Sequence, residues 1–410
     1  MICSTLFIIY FLWNQNIILA RRGVFDLTAV SLTQGTHCGG RRRVLTAILG
    51  PSLIRGREGV SALNRIPRVP RREILRAIAA AAVTTIPLPR TWCDAYRKAN
   101  TDWFAACHFG ISTHWTAQSQ PVGEDDWLPF DEAVHQFNAK LYVQQAGEAG
   151  AQYIIFTSCH ALQMLPAPCR AIDRVAPGRT TRRDLIGDLA DACHARQMHF
   201  ILYYNHSCNH GDDPAWEYAV GYHVPDKSRL TRNLLAIVRE LGERYGARLD
   251  GWWFDSCFSL DPRGVYDSVT TDLHGFQFPW EEFVAAAKAG QEQRLVSLSS
   301  GMLTHFLYSS HQDYEGGEAN DLVAVPSGRY TADHIQGHRW VCLDNPEWLH
   351  GRVMTQLAKP RFKIESVADY VQSCSANSVP VTFNVDIDRT GTFSPESLAL
   401  MREVKGRLRT

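Results

Sequence analysis

Asp255 ends the stretch Leu249-Asp-Gly-Trp-Trp-Phe-Asp255, a largely apolar run that delivers a single carboxylate at its close. Gly251 to Phe254 cannot all face water, so the run reads as a buried strand with Asp255 at its C-terminal lip. In a parallel barrel that lip is the catalytic face, where a carboxylate serves as nucleophile, base or metal ligand. A helix-capping aspartate would have the same local sequence, and what separates the two readings is the company Asp255 keeps. The exits of other apolar runs supply His114 with Trp115, then Cys159 with His160, then Tyr203 or Tyr204. Each group leaves a different strand, which is how barrels assemble sites. Imidazole, phenol and indole groups around one carboxylate make a poor phosphate site and a good carbohydrate site. Aromatic faces cover the apolar faces of a sugar, and histidines hydrogen-bond its hydroxyls. Glycoside hydrolysis needs a second carboxyl group to protonate the leaving oxygen. The segment Gln312-Asp-Tyr-Glu315-Gly-Gly-Glu318 offers one, in Glu318 or Glu315, and the glycines beside Glu318 permit an unusual backbone path.

The elements that must position these groups alternate after Arg90. Strands are expected at Phe104 to Thr113, Tyr153 to Thr157, His199 to Tyr204, around Trp252-Trp253, at Leu295 to Leu298 and at Val379 to Val385. Between them, Asp131 to Ala146, Arg182 to Arg196, Arg229 to Tyr245, Phe283 to Ala289 and Pro395 to Arg409 carry apolar stripes at helical spacing. Regular alternation argues for a parallel sheet wrapped by helices. Ser299 to Asp344 is irregular and has room for two more strands, so the expected fold is α/β, a (β/α)8 TIM-like barrel with irregular or missing helices in its second half. A doubly wound open sheet is the runner-up, but its nucleotide-binding members carry a glycine-rich phosphate turn after the first strand, and none is present.

Charge and composition narrow the partners. Met1 to Arg90 holds 13 Arg, no Lys and 3 acids, whereas the remainder holds 29 basic and 39 acidic residues. A body that negative, with no basic stripe, offers no footprint for nucleic acid. Residues 1–69 read as a leader of doubtful status, consistent with a misassigned start. Residues 70–95 read as an export signal and linker, because Arg71-Arg72 precede a short alanine-rich apolar run, as in a twin-arginine signal. The barrel would occupy 96–410, in the periplasm or outside the cell, with no stable membrane insertion. The eleven cysteines include no CxxC pair. His206, Cys208 and His210, with Cys159 and His160, could gather donors but match no usual zinc spacing, so no metal is expected.

At this point the motifs resemble a known family. Phe109-Gly-Ile-Ser-Thr-His114-Trp115, Tyr153 to His160, Phe200 to Asn205, Trp253-Phe-Asp255, Asp313 to Glu318, and Val381 to Asn384 with Asp388 to Gly391 resemble, in order, segments of the alpha-L-fucosidases of glycoside hydrolase family 29. The resemblance spans about Trp103 to Leu408. It implies a retaining exo-glycosidase without a cofactor, with Asp255 as nucleophile and Glu318 as acid/base. His114, His160 and Tyr203 would contact the sugar and nucleophile, Trp115 would help form the floor, and Cys159 and Trp253 would complete the substrate-binding set. The sequence departs from the family at Cys159-His160, which replaces a pair of histidines, at Ala161-Leu-Gln163, which replaces Asp-Gly-Phe, and at Leu298 to Gly301, which replaces Asn-Asp-Arg-Trp. One sugar contact and one arginine are therefore altered, which makes a different sugar, or a noncatalytic carbohydrate-binding barrel, the alternative. A metal-dependent hydrolase is a third option. No accessory sugar-binding domain is expected, and the oligomeric state is not legible.

Overall fold

The computed structural model describes residues 9–11, 16–19, 30–31, 98–117, 128–206, 213–261, 273, 275–348 and 356–408. The chain divides into two compact units, Met1–Arg90 and Thr91–Thr410. In the first, Ile9–Phe11, Asn16–Leu19 and Val30–Ser31 form a small antiparallel sheet. Arg71, Arg72 and the alanine-rich run lie outside the described residues, as do Cys208 and His210.

The second unit holds eight parallel strands: β1 (Phe109–Thr113), β2 (Tyr153–Thr157), β3 (His199–Asn205), β4 (Gly251–Asp255), β5 (Leu295–Leu298), β6 (Glu318–Ala319), β7 (Arg339–Cys342) and β8 (Val381–Asn384). Their spatial order is 5-4-3-2-1-8-7-6, so β8 closes back onto β1 and the sheet curls into a (β/α)8 barrel with one seam, between β5 and β6. Among the described residues no strand ladder crosses that seam. Asp313 bridges it instead: its N–H reaches Val296 O at 2.8 Å, and its Oδ2 accepts from Val296 N at 2.9 Å. Lys288 Nζ stands 2.8 Å from the same oxygen, with both side chains buried.

Helices lie between the strands in the first half and thin out in the second. They are α1 (Asp102–Ala105), α2 (Phe130–Gln136), α3 (Ala139–Ala149), α4 (Arg170–Val175), α5 (Leu185–Ala195), α6 (Pro214–Val220), α7 (Ser228–Tyr245), α8 (Trp280–Ala287), α9 (Ile364–Ala376) and α10 (Pro395–Leu408). No described helix lies between β5 and β6 or between β6 and β7. Local chemistry sets their ends. Asn138, Asp184 and Asp213 each accept a backbone N–H as N-caps, from Leu141, Gly187 and Trp216. The single helix expected over Asp131 to Ala146 is therefore two, since Phe137 leaves the helical region and Asn138 starts a new helix. Phe104 lies in α1 rather than in the first strand, and its ring packs on Tyr153, Tyr314 and His338 to plug the barrel's lower end.

Period-two alternation divides the core. Ile154, Phe156, Leu202, Tyr204, Trp252 and Phe254 face the helices, whereas Tyr153, Ile155, Ile201, Tyr203, Trp253 and Trp340 fill the interior. At about 25 cal/mol per Å² of apolar surface removed from water, two such layers are the main source of stability. No described helix is long and apolar enough to cross a membrane.

Candidate active site

The inward face of each strand carries its polar residue to the upper end of the barrel. Asn205 and Asp255 are partners in the β3–β4 register, and Ser112 and Asn384 are partners in the β1–β8 register. Asp255 is buried yet well supplied with donors. Oδ2 accepts from the Tyr203 hydroxyl at 2.5 Å and from Asn205 Nδ2 at 3.0 Å, and Oδ1 accepts from Ser256 N at 2.6 Å. The backbone tightens here, as Ser256 takes the left-handed region at φ +60°.

Glu318 is fixed by its surroundings more than by its two-residue strand. Trp253 Nε1 and the His338 ring both donate to Gly316 O, at 3.1 and 2.9 Å, Trp340 N donates to Gly317 O, and Leu303 N donates to Glu318 O. Gly317 adopts φ +68°, and a Cβ there would collide with the His338 carbonyl, so this approach requires glycine. Burial first, and then the charge of Asp255, push the Glu318 carboxyl up to about 8, against the pull of the Ser299 hydroxyl at 3.3 Å. A neutral Glu318 thus stands near Asp255, whose carboxyl oxygens accept three hydrogen bonds, an asymmetry of surroundings that suits an acid and a nucleophile. Glu315 is occupied elsewhere. It pairs with Arg339 Nη1 at 2.8 Å and accepts from His338 N.

His114 lies across from this pair, its Nδ1 2.9 Å from Asn384 Oδ1. Burial and the neighbouring His160 hold its pKa down to about 3, so the ring is neutral, and with the proton on Nδ1 its Nε2 is an acceptor. The rings of His160 and Tyr203 stand 5.5 and 5.1 Å away. Tyr203 stacks on Trp253 at 5.1 Å, and Trp253 meets Trp340 edge to face at 4.4 Å. The structure therefore brings Asp255, Glu318, His114, His160, Tyr203 and Trp253 into one region. Two expected site residues go elsewhere. Trp115 packs against Phe130, Phe137 and Phe156 in the layer beneath the helices, because the residue next to an inward-facing one must face out. It forms no part of the floor, which Trp253 and Trp340 supply instead. Cys159, two residues past the end of β2, turns to the outer layer, where its Sγ donates to Asn205 O at 3.2 Å and lies 3.6 Å from Gln163 Oε1. Burial pushes its thiol up to about 12, so it stays protonated.

Four residues received no role from the sequence. Asn205 and Asn384 close apolar runs just as Asp255 does, and that signal was available. Trp340 and Trp348 sit in or after a four-residue strand within the irregular segment. The Trp348 ring lies 5.5 Å from His114, and its carbonyl accepts from Asn384 Nδ2. Among the described residues, no group of three or more His, Cys, Asp or Glu side chains could hold a metal ion.

The alpha-L-fucosidase family model matches residues 132–406, two thirds of the chain. The chain belongs to the alpha-L-fucosidase family. A curated relative, "Putative alpha-L-fucosidase" from Caenorhabditis elegans, is 23% identical over 150 residues, 28% of this chain and 30% of that protein. The chain thus spans about a third of that relative's length. Among solved structures, alpha-L-fucosidase isoenzyme 1 from Paenibacillus thiaminolyticus is similar at a TM-score of 0.54, with 18% identity over 75% of each chain. Alpha-L-fucosidase AlfC from Lactobacillus casei, solved with its alpha-L-fucose product, is similar at 0.51, with 17% identity over 75% of this chain and 98% of that one. At such identities the likeness establishes the fucosidase barrel as a fold.

Proposed function

We propose that the chain is a retaining glycosidase of alpha-L-fucosidase type. The observation that carries this reading is the pairing of Asp255, a carboxylate gripped by three donors, with Glu318, a neighbouring carboxyl held protonated to about pH 8. In the first step an Asp255 oxygen attacks the anomeric carbon and the bond to the leaving oxygen breaks, with the Glu318 proton passing to that oxygen. In the second, Glu318 takes a proton from water, the water oxygen attacks the same carbon, and the ester to Asp255 breaks. Two inversions retain configuration. The neutral His114 is placed with His160 to hydrogen-bond sugar hydroxyls, and Tyr203 orients the nucleophile. Fucose itself is the finer claim, because Cys159 turns away where the family presents a histidine. A panel of aryl glycosides including the alpha-L-fucoside, run beside Asp255→Ala, tests the reading. Turnover of one panel member that falls at least about a thousandfold in the variant is expected. Equal rates in both proteins would sink it.

We propose in addition that the chain is exported through the twin-arginine-like segment at Arg71-Arg72. The boundary between the two compact units, at Arg90, supports this by falling where a cleavage site would follow that segment.

A further inference from the structure

Past its last paired residues, Thr157 and Tyr203, the β2–β3 edge continues through two further contacts that end on the nucleophile. Ser158 donates to Tyr203 O twice, from its backbone N at 3.0 Å and from its hydroxyl at 2.7 Å. Cys159 Sγ then donates to Asn205 O at 3.2 Å. Tyr203 and Asn205 are the two β3 residues of this stretch that face inward, and both donate to the same oxygen of Asp255. Consecutive residues of β2's exit therefore hold the two carbonyls whose side chains hold the nucleophile.

We infer that Asn205 is a positioning residue for the Asp255 nucleophile and that Cys159 buttresses it, so the cysteine found where the resemblance expects a histidine supports the reacting carboxylate instead of contacting sugar. The inference rests on the proposed glycosidase reading for its catalytic meaning but on geometry alone for its existence. A hydrogen-bond donor to a carboxylate favours its charged form and fixes its rotamer. With Tyr203 alone, Oδ2 would keep one donor and the carboxylate would be freer to rotate about its χ2 torsion. Asn205 uses its strand register to approach, being the direct partner of Asp255 across β3 and β4. A shift of the Asn205 backbone would aim its amide past the oxygen, and the Cys159 contact resists that shift. Titratable groups that act on Asp255 from the packed elements include Tyr203, Cys159, Cys257 and Glu318, and the His114 and His160 rings stand in the same cluster. Replacing Asn205 changes none of them.

The test is a 13C NMR titration of the Asp255 carboxyl in the full chain, the Asn205→Ala variant and the pair Cys159→Ala and Cys159→Ser, with pH profiles of kcat/KM on the best aryl glycoside alongside. Asn205→Ala is expected to raise the Asp255 midpoint by about one pH unit, to move the acid limb of kcat/KM by the same amount and to lower kcat about tenfold with little change in KM. Cys159→Ala should shift the midpoint part of the way, and Cys159→Ser, whose hydroxyl still donates, should restore it. An unmoved midpoint in Asn205→Ala overturns the inference, as does a Cys159→Ser variant that behaves like Cys159→Ala. The titration needs no turnover. A parent protein silent on every glycoside would overturn the glycosidase reading and reduce Asn205 to a carboxylate ligand, whereas an active parent with an unmoved midpoint overturns the inference alone.

Discussion

Glu318 is the residue on which acidity, stability and turnover meet. Its carboxyl is pushed up to about 8 in the folded protein, from an ordinary value of 4.5 in the unfolded chain. The folded state therefore holds this proton more tightly. The associated stability is fully present below about pH 4.5 and is lost progressively as pH rises towards 8. Glu318→Gln removes the titration while keeping the shape. Its melting temperature should match the parent's at pH 4 and exceed it increasingly between pH 5 and about 8, as differential scanning calorimetry would read. The same variant should lose about 10²- to 10⁴-fold in kcat on a glycoside with a poor leaving group, and the parent's kcat should decline above about pH 8 as the acid form is depleted. A melting gap that is flat with pH would refute the assigned burial. His114, already neutral at every pH in this range, contributes to neither limb.

Lys288, at the C-terminal cap of α8, meets Asp313 between β5 and β6 inside the protein, joining elements that share no strand ladder. Lys288→Met leaves Asp313 buried with only its backbone donors, from Ala99 and Val296. Removing one partner of a buried pair costs about 3 to 5 kcal/mol, and the surviving donors place this case near 3. Urea denaturation measures it, and adding Asp313→Asn should recover part of the loss. The elements themselves differed in how legible they were. Tyr153–Thr157 and Leu295–Leu298 carry their full identity in a bounded apolar run and match expectation at both ends. Strands β6 and β7 were foreseen only as room in the irregular segment, because two residues including a glutamate, or four beginning with an arginine, have no periodicity to detect. Helices α4, α6 and α9 were missed, the first two being too short for an apolar stripe to stand out. The site was legible where a polar residue ends an apolar run, as at Asp255 and His114. It misled at Trp115, where adjacency in sequence was taken for adjacency in space although alternation sends neighbours to opposite faces, and at Cys159, which lies past the end of β2 at Thr157, where alternation no longer sets the face.

At the scale of the molecule, the arginine-rich first unit and the acidic second unit part at Arg90. On the export proposal the mature protein begins close to that boundary. Intact mass measurement of protein recovered from the periplasm or medium should give an N-terminus between Pro89 and Asp94, and a full-length mass there would refute processing. Within the barrel, the proposed nucleophile Asp255 rides on β4 and the proposed acid Glu318 on β6, with the seam between them, while the other way round the ring runs through five hydrogen-bonded strands. Their spacing across the short way is thus set by Ser299, Asp313 and a few carbonyls and not by a continuous ladder. A closed ring would make that spacing a property of the whole sheet, alterable only by remaking it. Here it behaves like an expansion joint in masonry: single substitutions along one line of the wall can bring the two working groups closer or set them apart while every other course of the barrel stays in place.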